Sequence, residues 1–454
     1  SLIIPANTLA SGGYEVDNSC RFNDNDSAYM HKTCGSAFNT DKWTISLWFK
    51  RGNLGIDTRL ISCDNDDGSN DDYIRFDSSD QMEFMIYEGN SIVGLLKPNR
   101  VFRDSNAWMH LVCVWDSANG TAGNRMRMYI NGTEETSFAT DTNPSSGANA
   151  SWGNTSHPIE VGRRGSANNQ YFDGYMAEVA VCDGQAYSAS DFGEFDEDSG
   201  IWKPIDVSGL TFGTSGFYLD FEDSANLGND ANGGTDFTEV NLTAIDQSTD
   251  TCTNNFATLN NLDGKFNAHM IFSDGNLTVD NGTTASLKGI ARSTIGVSSG
   301  KWYFEAKLVT AGNYQVVGIT DRPSLSNTDV MANGAYDYVY RSDGQKLNND
   351  TSASYGNSWG ANDIIGVALD IDNRKLYFSK NGTFQNSGDP TSGGTGTGAA
   401  YTIAAPSSTN HGFYFFGVAD VTAANSPKFS ANFGSPPYAI SSGNTDGNGY
   451  GNFE

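Results

Sequence analysis

The sequence predicts an all-β protein, built as two β-sandwiches in tandem. Three observations carry that expectation. Short runs rich in Val, Ile, Tyr, Phe and Trp recur along the 454 residues, each bounded by Asn, Asp, Gly or Ser, which is how strands and turns alternate. Helical periodicity is nearly absent, and only short connectors such as 188–198 suit a helix. The length suggests two or three domains, and the run of strands is interrupted by one compositional gap. No Lys or Arg lies between Lys203 and Lys265, while 204–264 holds ten acids.

The elements follow in order. WTISLWFK (43–50), YIRF (73–76), MEFMIYEG (82–89), HLVCVWD (110–116) and RMRMYI (125–130) read as strands of the first half, and SGFYLDFED (215–223) as its last. KWYFEAKLV (301–309), DIIGVALDI (363–371) and FYFFGVA (413–419) read as strands of the second. The expected boundaries are a first domain at 1–222, an acidic connector at 223–264 and a second domain at 265–454. Each half contains a buried strand ending in Asp, followed by a hairpin turned on Asn131-Gly132 or Asn381-Gly382. Asn-Gly suits the positive φ angles of a type I′ turn.

Composition excludes several functions. With 54 Asp and Glu against 27 Lys and Arg, the net charge is −27. Such a surface repels phosphate, so neither nucleic acid nor an anionic membrane is an expected partner. No apolar run approaches the ~20 residues of a membrane helix, and the first residues lack the basic-then-apolar layout of a secretory signal. The six cysteines show no CxxC pair, so they suggest no zinc site. Cys113 and Cys182 lie in apolar runs and read as small buried hydrophobes, whereas Cys20 and Cys34 are the one pair close enough in sequence to suggest a bridge.

On WTISLWFKRG (43–52), AWMHLVCVWD (107–116), RMRMYINGTEE (125–135) and FDGYMAEVAVCDGQAYSASDFGEF (172–195), the first half resembles a laminin-G-like, concanavalin A-like jelly roll. On SSGKWYFEAKL (298–308), YQVVGITD (314–321), NDIIGVALDIDNRKLYFSKNG (362–382) and ANFGSPP (431–437), the second half resembles a SPRY domain, another concanavalin A-like sandwich. Together with EDSGIWKP (197–204) and TNNFATLN (253–260), this pairing is similar to virion structural proteins of tailed bacteriophages of aquatic bacteria, including cyanophages. The resemblance implies a non-enzymatic tail fibre, spike or head decoration at the virion surface. Its implied partners are other virion proteins, further copies of itself and a host-surface glycan or protein. A glycan-degrading enzyme and a purely architectural protein are the alternatives.

The stretch 63–80 crowds seven Asp residues around Arg75. Loops of Asp, Asn and Gly suit Ca²⁺, which takes six to eight oxygens, and laminin-G-like domains often hold calcium at rim loops. Asp64, Asp66, Asp67 and Asp71 are the expected ligands, against a plain solvated hairpin. Trp152, Tyr336, Tyr338, Tyr340 and Trp359 are candidates to stack on sugar rings, with core packing as the alternative, since the three tyrosines share one strand face. For hydrolysis, some concanavalin A-like enzymes use Glu-x-Asp-x-x-Glu on a strand. The nearest match, Glu194-Phe195-Asp196-Glu197-Asp198-Ser199, lacks the second Glu. No nucleophile elbow or HExxH pair accompanies the five histidines, so no enzyme is expected.

Overall fold

The computed structural model describes residues 13–65, 68–263, 270–281, 289–323, 330–421, 426–447 and 449–454. Among them, the regular elements are strands and single 3-10 turns, and the strand pairs are antiparallel. The chain divides into two compact units, one spanning Ala6–Asn255 and the other Phe256–Glu454.

In the first unit, one sheet runs Thr133–Glu134, Met126–Ile130, Met109–Asp116, Lys42–Arg51, Gly174–Asp183, Ser19–Phe22, Gln247–Ser248, with Phe217–Leu219 also on Gly174–Asp183. The other runs Phe138–Thr142, Ser91–Pro98, Met82–Glu88, Asp71–Phe76, Thr58–Asp64, Ile159–Val161, Tyr29–Lys32, Thr238–Val240. Alternation sends Trp43, Ile45, Leu47 and Phe49 of one sheet and Ile74, Phe76, Phe84 and Ile86 of the other into a common core. Each large apolar side chain so buried contributes roughly 1.5–3 kcal/mol. HLVCVWD reads as a continuous apolar run because both of its faces are covered. Leu111, Cys113 and Trp115 enter the main core, while Val112 and Val114 pack against Ala189, Phe192, Val207 and Phe212 of the segment that crosses behind.

The stretch expected as a connector is a folded part of the first unit as far as Asn255. Thr238–Val240 pairs with Tyr29–Lys32, and Gln247–Ser248 pairs with Ser19–Phe22. Its acids meet bases from distant sequence: Asp230 meets Lys32 at 3.1 Å, Asp246 meets Arg21 at 3.5 Å and Asp250 meets Lys50 at 2.7 Å. The segment lacks Lys and Arg because its partners come from other strands.

The second unit also has two sheets. One runs Ile271–Ser273, Thr278–Asp280, Lys428–Asn432, Lys301–Thr310, Ile364–Asp370, Lys375–Lys380, Thr383–Phe384. The other runs Ile290–Arg292, Phe415–Asp420, Gln315–Thr320, Tyr338–Arg341, Gln345–Asn348, Thr351–Ser354. Phe304, Val367 and Phe378 meet Val317, Tyr340 and Val418 in the core.

Both Asn-Gly hairpins form as expected, with φ of 48° and 77° at Asn131-Gly132 and 47° and 75° at Asn381-Gly382. Each Asn also docks on the strand before it. Asn131 Oδ1 accepts from the His110 amide at 2.7 Å, and Asn381 Oδ1 accepts from the Ile364 amide at 2.8 Å. The two units thus repeat one strand-hairpin device. Cys20 and Cys34 are free thiols rather than a bridge, and Cys113 and Cys182 are buried.

Candidate functional site

The acidic stretch 63–80 folds into an ion-paired hairpin. Asp64 ends one strand, Asp71 begins the next, and the two face each other in register. The buried Arg59 guanidinium clamps Asp71 through two bonds of 2.5 and 2.9 Å. Arg164 reaches Asp64 at 3.4 Å and Asp71 at 3.1 Å, and the Ser166 amide and hydroxyl both donate to Asp64. Further along, Lys97 meets Asp77 and Glu83, Arg75 meets Glu83, and Arg51 and Arg103 meet Asp80. The repulsion expected to call for calcium is relieved by guanidinium and ammonium groups. Asp64 and Asp71 are therefore ion-pair residues rather than convergent ligands, while Asp66 and Asp67 lie outside the described residues. Among the described residues, no group of three or more His, Cys, Asp or Glu is placed to hold a metal ion.

The aromatic candidates belong to the cores. Trp152 is 2% exposed and meets Trp43 edge-on at 5.6 Å. Trp359 and Tyr340 pack together at 6.1 Å, and Tyr338 packs between Tyr401 and Tyr414. Tyr336 is half-buried against the same cluster. Buried ring faces offer no platform for a sugar, so packing is what these residues do.

Glu194 and Asp196 lie on a two-stranded hairpin, Gly193–Phe195 against Trp202–Pro204, where Lys203 pairs with both. A strand stands there in place of the expected loop, but the acids point into solvent. His110 and Ser46 form the one serine–histidine contact among the hydrogen bonds described, at 2.8 Å. Trp202 Nε1–H donates to His110 Nδ1 at 3.0 Å, so the ring proton sits on Nε2 and points at Ser46 Oγ. Burial holds this imidazole neutral, with its pKa lowered to about 3. A histidine donating to the serine cannot deprotonate it, and the pair is a structural clasp between Trp48 and Trp202.

A concave feature of the first unit lies elsewhere. A cleft of about 440 Å³ is lined by Tyr14, Asp206, Ser208, Phe212, Tyr218, Asp220, Glu222, Ala231 and Asn232. The strand Phe217–Leu219 turns Phe217 and Leu219 into the main core and Tyr218 to the opposite face, where its ring stacks on Phe212 at 5.8 Å. Behind the cleft, a β-bulge in Gly174–Asp183 falls between Ala177 and Ala180. There Glu178 takes a φ of 51°, and a bulge re-aims a side chain in this way. Glu178 is 6% exposed, and its Oε2 accepts from the Tyr218 hydroxyl at 2.7 Å and from the Tyr14 hydroxyl at 3.2 Å. Burial pushes its carboxyl up to about 7, with Asp220 and Glu222 adding to the rise. Burial, Asp220 and Asp17 also raise Glu222, whereas hydrogen bonds from Ser208 lower Asp206.

None of these residues was singled out from sequence. Tyr14 and Tyr218 are 204 positions apart, and no local pattern joins them. The legible signal was one acid, Glu178, inside the apolar run YMAEVAVC. A buried carboxylate needs partners, and the partners are the two tyrosines.

Residues 23–191 match the concanavalin A-like lectin/glucanases superfamily, and residues 301–412 match the SPRY domain. The protein is thus a tandem of two concanavalin A-like β-sandwiches. The first is laminin-G-like and the second is a SPRY domain. The chain is 34% identical over 94 residues to the E3 ubiquitin-protein ligase RKP of Arabidopsis thaliana, covering 20% of this chain and 7% of that protein. It is 35% identical over 92 residues to the ATP-dependent RNA helicase Ddx1 of Drosophila melanogaster, covering 20% and 12%. The chain therefore spans only a small part of these relatives. Among solved structures, it is similar to the SPRY domain of human HERC1 at 20% identity and a TM-score of 0.26, covering 36% of this chain and 91% of that one. It is also similar to a heptameric SAP-like pentraxin of Limulus polyphemus at 14% identity and a TM-score of 0.29, covering 45% and 93%.

Proposed function

We propose that this protein is a non-enzymatic structural component of a tailed-bacteriophage virion. It is displayed at the particle surface as a tail fibre, spike or head decoration and contacts a host-surface glycan through its first unit. The observation that carries the binding reading is the open cleft of the first unit, where the half-buried Tyr14 stands among Asp206, Ser208, Asp220, Glu222 and Asn232 over the buried rings of Phe212 and Tyr218. One accessible ring beside several hydrogen-bonding groups suits a sugar. The virion reading is supported by the order of the two sandwiches, which resembles virion structural proteins. Other virion proteins and further copies of this chain are its partners, and repeated copies on one particle raise avidity without tighter single contacts.

Binding is favoured over hydrolysis by the sequence, whose nearest match to the Glu-x-Asp-x-x-Glu pattern, Glu194 to Ser199, lacks the second Glu and lies outside the cleft. The test offers labelled full-length protein to host cells and to purified envelope polysaccharide. Saturable binding, weakened at least tenfold by combining Tyr14→Phe with Asp220→Asn and Asn232→Ala, is expected, with the polysaccharide left at full length. Chain shortening, or equal binding by the variant, refutes the proposal. Labelling intact particles with an antibody to this chain checks the location.

A further inference from the structure

Burying an ammonium group is unfavourable, yet the first unit buries one completely. Alternation along Lys42–Arg51 sends Ile45, Leu47 and Phe49 into the main core and leaves Trp48 and Lys50 on the opposite face. Lys50 is 0% exposed there, beneath the segment that follows Gln247–Ser248 and ends the unit at Asn255. Its Nζ donates to Asp250 Oδ2 at 2.7 Å and to Asn255 Oδ1 at 2.8 Å, and it lies 5.5 Å from the centre of the Tyr175 ring. Trp108 Nε1–H donates to the other Asp250 oxygen at 2.9 Å. Asn255 Nδ2 donates to the Asn106 carbonyl at 2.9 Å, which fixes the carboxamide with its oxygen toward the lysine.

An ion pair needs only the carboxylate, and Lys32, buried against Asp230, has just that. Among the described residues, Lys50 is the one lysine whose ammonium meets a carboxylate and a side-chain carboxamide together. An amine, an amide carbonyl and an acid in contact with the amine are a nucleophile, an electrophile and a proton carrier. Burial lowers the Lys50 pKa even against the charge of Asp250, which favours the neutral amine that can attack. Asn255 is exposed, so the nitrogen it gives up has a way out to solvent. Holding the groups together in one fold removes the entropic barrier that keeps free amines and amides from reacting.

We propose that Lys50 and Asn255 join in an intramolecular isopeptide bond, with Asp250 carrying the protons. Asp250 takes one proton from the Lys50 ammonium, and the neutral Nζ adds to Asn255 Cγ. The bond from Cγ to Nδ2 then breaks. Asp250 passes its proton to the departing nitrogen, and a second proton follows from Nζ. The products are a secondary amide and one ammonium ion, which carries away the charge the lysine had, and nothing is oxidised or reduced. The bond ties an internal strand of the sheet to the residue at which the first unit ends. When the chain is held on the N-terminal side of Lys50, tension arriving from residue 256 enters that strand directly. The chain between the two joined residues is shielded from it.

The test is the intact mass of the denatured full-length protein. It is expected to be lower than that of the sequence by one ammonia, and a protease digest should contain a branched peptide joining Lys50 to Asn255. Lys50→Arg and Asn255→Ala should each restore the full mass. In a time course after cell-free synthesis, Asp250→Ala should slow bond formation by about a hundredfold, the low end of general acid–base catalysis. A wild-type chain that keeps its full mass after prolonged incubation, folded and at neutral pH, overturns the proposal. An Asn side chain also loses ammonia when it closes on its own backbone, so a loss that persists in Lys50→Arg overturns it too. Loss of water, with the branch at Asp250, refutes the roles assigned to the two side chains, as does an unchanged rate in Asp250→Ala. Unchanged hydrogen-exchange protection of Gly174–Asp183 shows that each variant keeps the fold, and the wild-type mass decides the question without any variant.

Discussion

Replacing Glu178 with Gln should make the stability of the first unit less dependent on pH, in a direction the structure fixes. The Glu178 carboxyl is buried behind Tyr14 and Tyr218, in the field of Asp220 and Glu222, and its pKa is raised to about 7. In the unfolded chain it returns to about 4.3. Between these values the native state binds the proton and the unfolded state does not, so stability falls as pH rises. The favourable contribution is complete below about pH 4 and has been lost by about pH 8. At about 1.4 kcal/mol per unit, the loss approaches 4 kcal/mol. Gln keeps an oxygen to accept from both tyrosines and has no proton to lose. Relative to wild type, the variant should therefore be level or slightly weaker at pH 4.5 and more stable by up to about 4 kcal/mol at pH 8. Two sandwiches need not unfold together, so the assay is native-state hydrogen exchange in increasing urea, followed on peptides from Gly174–Asp183. A difference between variant and wild type that stays constant from pH 4.5 to 8 would mean that Glu178 is already ionised in the folded protein. The account of the bulge as a carboxyl-burying device would then be wrong.

Two further outcomes follow from the ion-paired hairpin. Arg59→Ala strands the buried Asp71 and should cost about 3–5 kcal/mol in urea unfolding of the first unit, whereas adding Asp71→Ala to it should recover a substantial part of that loss. Because Arg59 and Arg164 already neutralise Asp64 and Asp71, removing calcium with EDTA or adding it in excess should leave the melting temperature of the first unit within about 1 °C by scanning calorimetry, against the ~2–4 °C expected per kcal/mol for a domain of this size.

The fold was legible wherever a strand was long enough to show its period. WTISLWFK and IIGVALD carry alternation or continuous burial over seven or more residues, and the Asn-Gly turns announce themselves because few dipeptides tolerate two positive φ angles. Thr238–Val240 and Gln247–Ser248 are three and two residues long, too short for any period, so a Gly- and Asn-rich neighbourhood hid them. The aromatic candidates failed for a different reason. Trp152 stands in the polar text ANASWGNTSHP, which describes the solvent side of a loop, but the one large apolar residue in such a loop is what anchors it to the core. The same physics explains why Trp359 is buried.

The acidic composition takes on a definite meaning once the partners are known. Counted along the chain, acids cluster at 63–80 and in 204–264, and both clusters look like surplus charge. In three dimensions, Asp64, Asp71, Asp77 and Asp80 of the first cluster are met by Arg51, Arg59, Lys97, Arg103 and Arg164, and part of the second by Arg21, Lys32 and Lys50. A buried base without its acid would cost several kcal/mol, so these pairs are conditions of folding and say nothing about ligands. Pairing with a base is one of the ways this fold buries an acid. Among the described residues, Asp72 and Asp183 are buried without a Lys or Arg, and each accepts from two backbone amides, those of Tyr87 and Ser151 for Asp72 and those of Asn39 and Ser215 for Asp183. An acid's position in sequence does not say which way holds it, because both kinds of partner come from distant strands and loops, and the lack of a base does not by itself mark an acid as one that meets a ligand.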